Sequence, residues 1–385
     1  MGIGDRRRLR RDQLGYIEKL RRRSTTGLIR LPWGAWCVSD TDLAQTLLRD
    51  PEYNTGKSGF FGELLPTRGA QVEVGHAVRN LVRAGMPHYR AALAKSTAEL
   101  PAVSRWPAAG TRLVYGGLAD LLLHPGAPVA TRRLMHQAAV GGVALRAPHV
   151  WQRARAEVVR SRLVAAVTEE ARRRREHRIG EPRDVLDAVL AVCPPHQVAD
   201  RTAAELHLML FRAIMAPISS SLAWCVLLAC LSHPAPSPWP WSPDHVVREA
   251  LRHRPVAWML GRTIPRPVAF GGIAFQPGEL LSVSPYLLHH DERHWPAPHA
   301  FRPERWAEKG DHGPYIPFGM GPFSCAGAAV AHTLLTESLT ALTHNARLTV
   351  TGGDTRAAMS EGNVPRPFIL HRVHCRPTAH DRGRG

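Results

Sequence analysis

Apolar positions recur at helical spacing over most of this chain and alternate only in short stretches. The helical period predicts helices from His76 to Ala94, over 113–145 and 149–177, and from about Val198 to Ser232. Glu181-Pro182-Arg183-Asp184 opens a shorter helix to about Val192, Ser242-Pro243-Asp244 starts another, and Ala328 to Thr343 is a last apolar helical stretch. Residues 27–39 read as two short strands around Pro32 and Gly34, followed by a helix that Ser39-Asp40 caps and that ends before Pro51. Alternating strands surround Phe270-Gly271-Gly272 and Gln276-Pro277-Gly278. Asn54 to Val74 is rich in glycine and keeps no period, Pro234 to Pro243 is a Pro/Trp-rich linker, and the tail after Arg376 reads as disordered. The pattern is mainly α with a small β region.

Composition supports a sizeable core, with 44% apolar residues in a chain of 385. The 50 Lys and Arg, almost all Arg, outnumber 32 Asp and Glu and leave a formal charge of +18. No nucleic-acid motif accompanies the charge, so a basic face that steers an acidic protein partner is the expectation. The most basic run, Ala171 to Arg178, ends a helix and is expected to be a solvated face favoured by the helix dipole. The six cysteines show no metal-binding pair spacing, and Cys225 and Cys230 fall in an apolar helical pattern as core residues. Near the N-terminus no apolar run is long enough for a signal peptide or membrane anchor, so a cytoplasmic protein is expected.

Distinctive chemistry sits in Pro317-Phe318-Gly319-Met320-Gly321-Pro322-Phe323-Ser324-Cys325-Ala326-Gly327, which runs directly into the last helix. Glycines and a proline before the cysteine dictate a turn, and Gly327 leaves room beside it for a flat ligand. A cysteine at a helix N-terminus meets the positive end of the dipole and unpaired N–H groups, which depress its pKa and hydrogen-bond the sulfur. Such a thiolate suits a metal, and on haem iron it is the ligand that favours O–O cleavage. Taken alone, the loop also fits a glycine-rich turn around a structural cysteine, the less favoured of the two readings.

Two further motifs precede it in order. Glu249-Ala250-Leu251-Arg252 places an acid and an arginine on one helix face, and Phe301-Arg302-Pro303-Glu304-Arg305-Trp306 follows. A lone Glu-x-x-Arg is an ordinary helix ion pair. Together with Phe-Gly-x-Gly-x-x-x-Cys-x-Gly, the set resembles the cytochrome P-450 family of haem-thiolate monooxygenases, soluble bacterial type, over about residues 27–373.

The resemblance implies the cytochrome P-450 fold: a basic segment at 1–26, one haem-enclosing domain over 27–373, and a disordered tail at 374–385. It makes Cys325 the axial ligand of haem b, in a loop shaped by Phe318, Gly319 and Gly327. Arg262, ten residues before Gly272, and Arg79 match propionate-binding arginines, and His76 is a further candidate displaced by one residue of register. Glu249, Arg252 and Arg305 would form a buried network holding the loop, while Val256, Ala257 and Met259 would line the pocket. The family's distal helix corresponds to the 198–232 run, where Ala216, Pro217, Ser219, Ser220 and Ser221 stand in for a motif containing an acid and an alcohol. The alcohol is kept and the carboxylate is lost. Arg212, one turn earlier, and Met215 fall on the pocket side; a charge there requires a partner, an acid of the protein or else a substrate carboxylate. Phe323 stands where relatives carry a propionate-binding His or Arg, and His289 reads as a packed histidine.

The function so implied is oxidation of a small organic molecule, in bacterial secondary metabolism, with electrons coming indirectly from NAD(P)H through ferredoxin reductase and ferredoxin. No nucleic acid or membrane partner is expected. Because the acid is missing, oxidative coupling, desaturation or peroxide-dependent chemistry stays open, as does a non-catalytic accessory role.

Overall fold

The apolar run that begins near Val198 folds as one helix, Asp200–Ser232, with every residue from Ile218 to Cys230 buried. The structure, a computed structural model, describes residues 12–54, 59–145, 149–177, 180–235, 237–310, 312–358 and 363–375. The expected disordered tail lies almost wholly outside the described residues. Among these, the Asp200–Ser232 helix is the one long and apolar enough to cross a membrane, yet 78% of its apolar window is packed inside the protein.

In chain order the helices are α1 (Gln13–Arg21), α2 (Thr41–Arg49), α3 (Arg68–Ala84), α4 (Met86–Ala98), α5 (Ala108–Leu122) and α6 (Val129–Val140). They continue as α7 (Val150–Arg175), α8 (Val185–Val192), α9 (Asp200–Ser232), α10 (Pro243–His253), α11 (Pro285–His289) and α12 (Ala328–Thr343). The strands β1 (Leu28–Arg30), β2 (Trp36–Val38), β3 (Val103–Trp106), β4 (Leu260–Thr263), β5 (Val268–Phe270) and β6 (Ile273–Phe275) are short. So are β7 (Leu280–Val283), β8 (Ala346–Gly352), β9 (Ala357–Ala358), β10 (Val364–Pro365) and β11 (Phe368–His374). One sheet runs β1-β2-β7-β4 and puts Arg262 opposite Leu281. A second runs β3-β11-β8, all antiparallel. Helix α9 is the hub, packing on α5, α7, α8, α10, α12, β8 and β10.

Several boundaries move for local reasons. The expected helix from His76 to Ala94 is two, because Gly85 ends α3 and also starts α4, with a proline in the first turn. Helix α3 begins at Arg68, capped by the Thr67 hydroxyl, so the glycine-rich stretch ends seven residues earlier than Val74. The 113–145 stretch is divided around Pro125, Gly126 and Pro128 into α5 and α6. Strand β3 has no signal in its own residues and forms because β11 pairs with it. In the described part of the basic N-terminal segment, α1 buries Leu14 and Ile17, and Arg21 reaches Asp291 at 2.8 Å.

The basic end of α7 is only partly a solvated face. Arg172 and Arg173 are exposed, but Arg174 is buried. Its Nε donates to Glu170 and its Nη1 to Asp184 and Asp187, each at 2.7 Å. Asp184 also accepts the Asp187 amide, capping α8, and the His124 amide. Desolvation opposes a charge here, and three carboxylates overcome it, raising the Arg174 pKa. Removing one acid leaves a buried guanidinium underpaired, so Asp184→Ala is expected to destabilise the protein by about 3 kcal/mol, against near neutrality for Arg172→Ala, whose partner Glu169 is exposed. Urea midpoints of the two variants measure the contrast, and equal midpoints would contradict it.

Candidate active site

The cysteine loop is held by its own backbone. The Gly319 amide donates to the Ile316 carbonyl at 3.1 Å, the Ser324 amide to Gly321 at 3.0 Å, and the Cys325 amide to Phe318 at 2.9 Å. Gly319 and Gly321 have φ of +76° and +74°, a region that disfavours side chains. Any Cβ on Gly321 would also run into the Leu48 carbonyl at the end of α2. Gly327 differs: its φ is ordinary, and a Cβ there would meet only the Cys325 sulfur, at 3.9 Å. Nothing among the described residues excludes a side chain at 327, so the space beside the sulfur is open there.

Cys325 itself is exposed on the loop that leads into α12. The thiol is not depressed, contrary to the expectation. Its accessible sulfur still has enough protein packed around it for desolvation to raise the pKa, and this outweighs the opposing hydrogen bond from the Gly327 backbone. The cysteine also sits ahead of the helix, whose N-cap is Gly327, so the dipole acts at a remove. Cys225 and Cys230 are buried core residues, as expected.

Behind the loop lies a buried carboxylate. Glu249 Oε2 accepts from Arg252 Nε at 3.1 Å and from the Trp306 indole at 3.0 Å. Its Oε1 accepts from Arg252 Nη2 at 2.9 Å, Arg305 Nε at 3.1 Å and the Arg302 amide at 3.0 Å. The structure therefore brings Glu249, Arg252 and Arg305 together as the motif order suggests, and adds Trp306. Arg252 Nη1 donates to the His289 carbonyl at 2.6 Å. The His289 ring joins the network to the loop: Nδ1–H donates to the Arg252 carbonyl at 3.0 Å, and Nε2 accepts the Ile316 amide at 2.8 Å. Those two bonds require the neutral Nδ1–H tautomer.

On the loop's other side, Arg262 is 8% exposed. Its Nε donates to Asn54 Oδ1 at 2.7 Å and Nη1 to the Gly261 carbonyl, and no acid pairs with it among the described residues. Burial alone lowers its pKa. The Arg262 guanidinium also lies over the Phe323 ring at 5.5 Å, and that of Arg68 lies over the same ring at 4.5 Å. Arg68 further donates to the Pro322 carbonyl at 3.2 Å. Arg68 escaped the sequence reading; its signal, an arginine just after the Thr67 cap, is too common to single out. Arg79 has a buried Nε with no partner, whereas His76 is exposed and makes no recorded hydrogen bond among the described residues.

Along α9, Ala216 and Pro217 are half-buried, and the helix runs through Pro217 unbroken. Ser219, Ser220 and Ser221 are buried. The Ser220 hydroxyl donates to the Pro217 carbonyl at 3.2 Å, and the Ser219 hydroxyl has no partner. Met215 is fully buried in the core and does not face open space, which corrects its placement among pocket residues. Arg212 is exposed and has no salt bridge or hydrogen bond among the described residues, so the expected internal acid partner is not there. Val256, Ala257 and Met259 lie in a half-buried stretch entering β4.

This arrangement fits a haem. No three His, Cys, Asp or Glu side chains gather at metal-binding geometry among the described residues, so a metal held by Cys325 must bring its other ligands with it. The open space at Gly327 admits a flat ring. Arg262, without an acid, and the orphaned Arg79 Nε suit an anionic edge.

Comparison with known proteins agrees. The Cytochrome P450 family profile matches residues 244–371. Human cytochrome P450 3A5 is 44% identical over 23% of this chain and 18% of its own, and cyclooctatin synthase of Streptomyces melanosporofaciens is 37% identical over 26% and 22%. The chain thus matches about a fifth of the length of these curated relatives. A mutant of P450 EryK of S. erythraea, solved with erythromycin B, has the same fold with a TM-score of 0.71 at 19% identity, covering 95% of this chain and 98% of its own.

Buried histidines make the site's scaffold sensitive to acid. Burial holds His289 down at about 3, with nearby Arg252 adding to the effect, and holds His253 down at about 4. Unfolding returns both to an ordinary value of about 6.5, so the unfolded chain takes up protons that the folded chain refuses. Stability is complete above about pH 6.5 and falls as pH drops toward 4, by about 1.4 kcal/mol per pH unit for each histidine. Denaturant midpoints at pH 7, 6 and 5 should decline in that order; a flat profile would show that the histidines do not carry it.

Proposed function

We propose that the chain is a member of the cytochrome P450 family and a haem-thiolate monooxygenase oxidising a small organic molecule. The observation that carries the reading is an accessible Cys325 thiol beside an open face at Gly327, on a loop braced from behind by the Glu249 network. When bound, haem b supplies the activation of O₂ and the transfer of one of its oxygen atoms.

The chain's own residues would divide the remaining work. Cys325 would hold the haem iron through its sulfur, and coordination would remove its proton whatever the pKa of the free thiol. Arg262, Arg79 and Arg68 would hold the anionic edge of the cofactor, the last in place of the basic residue missing at Phe323. Phe318 and Gly319 shape the loop, and His289 fixes its entry through the Ile316 amide. Ser219 Oγ, buried and unpartnered among the described residues, can hold a water, and Ser220 Oγ, bonded to the Pro217 carbonyl, can pass a proton on. The basic surface suits an acidic ferredoxin, with ferredoxin reductase passing electrons from NAD(P)H. A cytoplasmic role in secondary metabolism accords with the resemblance to cyclooctatin synthase.

A second reading rests on Ser219 standing where the family's acid belongs: oxidative coupling, desaturation or use of peroxide needs less proton delivery from the protein. An accessory role is disfavoured by retention of Cys325.

Purified protein should bind haem and give the strongly red-shifted Soret band of a thiolate-ligated ferrous carbonyl complex. Cys325→Ser should abolish that band, and its persistence would remove Cys325 as ligand. Ser220→Ala should divert reducing equivalents to hydrogen peroxide, lowering product formed per NAD(P)H consumed by about tenfold or more. An unchanged ratio would favour the second reading.

A further inference from the structure

The N-terminal half of α9 has one accessible stripe. Glu205, Met209, Arg212, Ala213, Ala216 and Pro217 are exposed or half-buried at helical spacing, and the stripe closes at Ile218. The helix is enclosed by its many neighbours, and this face leads to the serines assigned above to proton delivery. Under the haem-thiolate reading, on which this inference rests, the stripe is the wall of the substrate pocket.

Four of these six residues are apolar; the charged ones are Glu205, which pairs with Arg201, and Arg212. The charges nearest it on α7 and α9 are already committed. Glu157 is bound to Arg160 by hydrogen bonds of 2.5 to 2.9 Å, and Glu205 pairs with Arg201 at 3.3 Å. Arg212 lies close enough to help lower the Glu157 pKa, but its guanidinium has no acid of its own. Two acids therefore face three arginines, and the uncompensated cation is the one on the pocket stripe. While the pocket holds water, that charge is solvated. When an apolar substrate displaces the water, a bare guanidinium becomes costly unless the substrate brings an anion.

We propose that the substrate is an apolar molecule bearing a carboxylate, and that Arg212 is the residue that binds it. Guanidinium and carboxylate match as a two-pronged hydrogen-bonded pair, which fixes one end of the molecule and so selects which carbon lies over the reactive centre.

The test uses the haem-loaded full chain and pairs of ligands that differ only in charge: dodecanoate with methyl dodecanoate, 4-phenylbutyrate with its methyl ester, and 2-naphthoate with its methyl ester. Binding is read by calorimetry and by the haem optical shift. At least one acid should bind the wild type roughly 10- to 100-fold more tightly than its ester, the loss expected when a charge-assisted pair is missing. Arg212→Leu should erase that preference, acid and ester then binding alike, and Arg212→Lys should retain part of it. No acid preference in any pair, including no binding at all, overturns the proposal, as does a preference that survives in Arg212→Leu. The carbon monoxide spectrum of the same preparations reports on the thiolate separately, so a normal spectrum without acid preference rejects the role of Arg212 alone.

Discussion

A single buried carboxylate organises the cysteine side of this protein. Glu249 has no water around it and accepts five hydrogen bonds, from Arg252, Arg305, Trp306 and the Arg302 backbone. Its pKa is held low against burial by the hydrogen bonds and charge of Arg252, with His253 beside it at 3.4 Å. An ion group of this kind contributes little net stability compared with an apolar replacement, but it leaves few alternatives for how its donors are arranged. Those donors come from α10 and from the turn Pro303–Ala307, which sets the second segment against the first. Through His289 the same constraint reaches Ile316, the residue before the loop. The position of the sulfur is thus determined by groups well away from it in sequence.

The two faces of the site are held differently. Behind the loop, charges are paired and sealed. In front, Arg262 has only an amide and carbonyl for partners, Arg79 has an orphaned donor, and Ser219 has an unused hydroxyl. A protein folding only for its own stability would pair or discard such groups.

What could be read from the sequence follows the range of the interactions involved. The loop, the Glu-x-x-Arg helix and the limits of α12 are set by neighbouring residues and were legible. Strand β3 depends on β11, far along the chain, and was not. Arg174 looked like one more solvent-facing arginine because its three acids arrive from a turn earlier on α7 and from the start of α8. The Cys325 thiol was misjudged because helix and amide effects are visible in sequence, whereas desolvation is a property of the packed loop. Met215 failed for a geometric reason, since a shift of one residue on a helix turns a side chain from cavity to core.

The Phe323 ring has a consequence for how the protein reaches its working state. The Arg262 guanidinium lies over that ring with no acid paired to it among the described residues, so the cofactor-free chain carries an uncompensated cation next to its ligand loop. An anionic cofactor edge would relieve that charge only in the folded chain, so by mass action the cofactor would stabilise the fold. The amount of intact protein in a cell would then follow the supply of cofactor as well as the rate of synthesis.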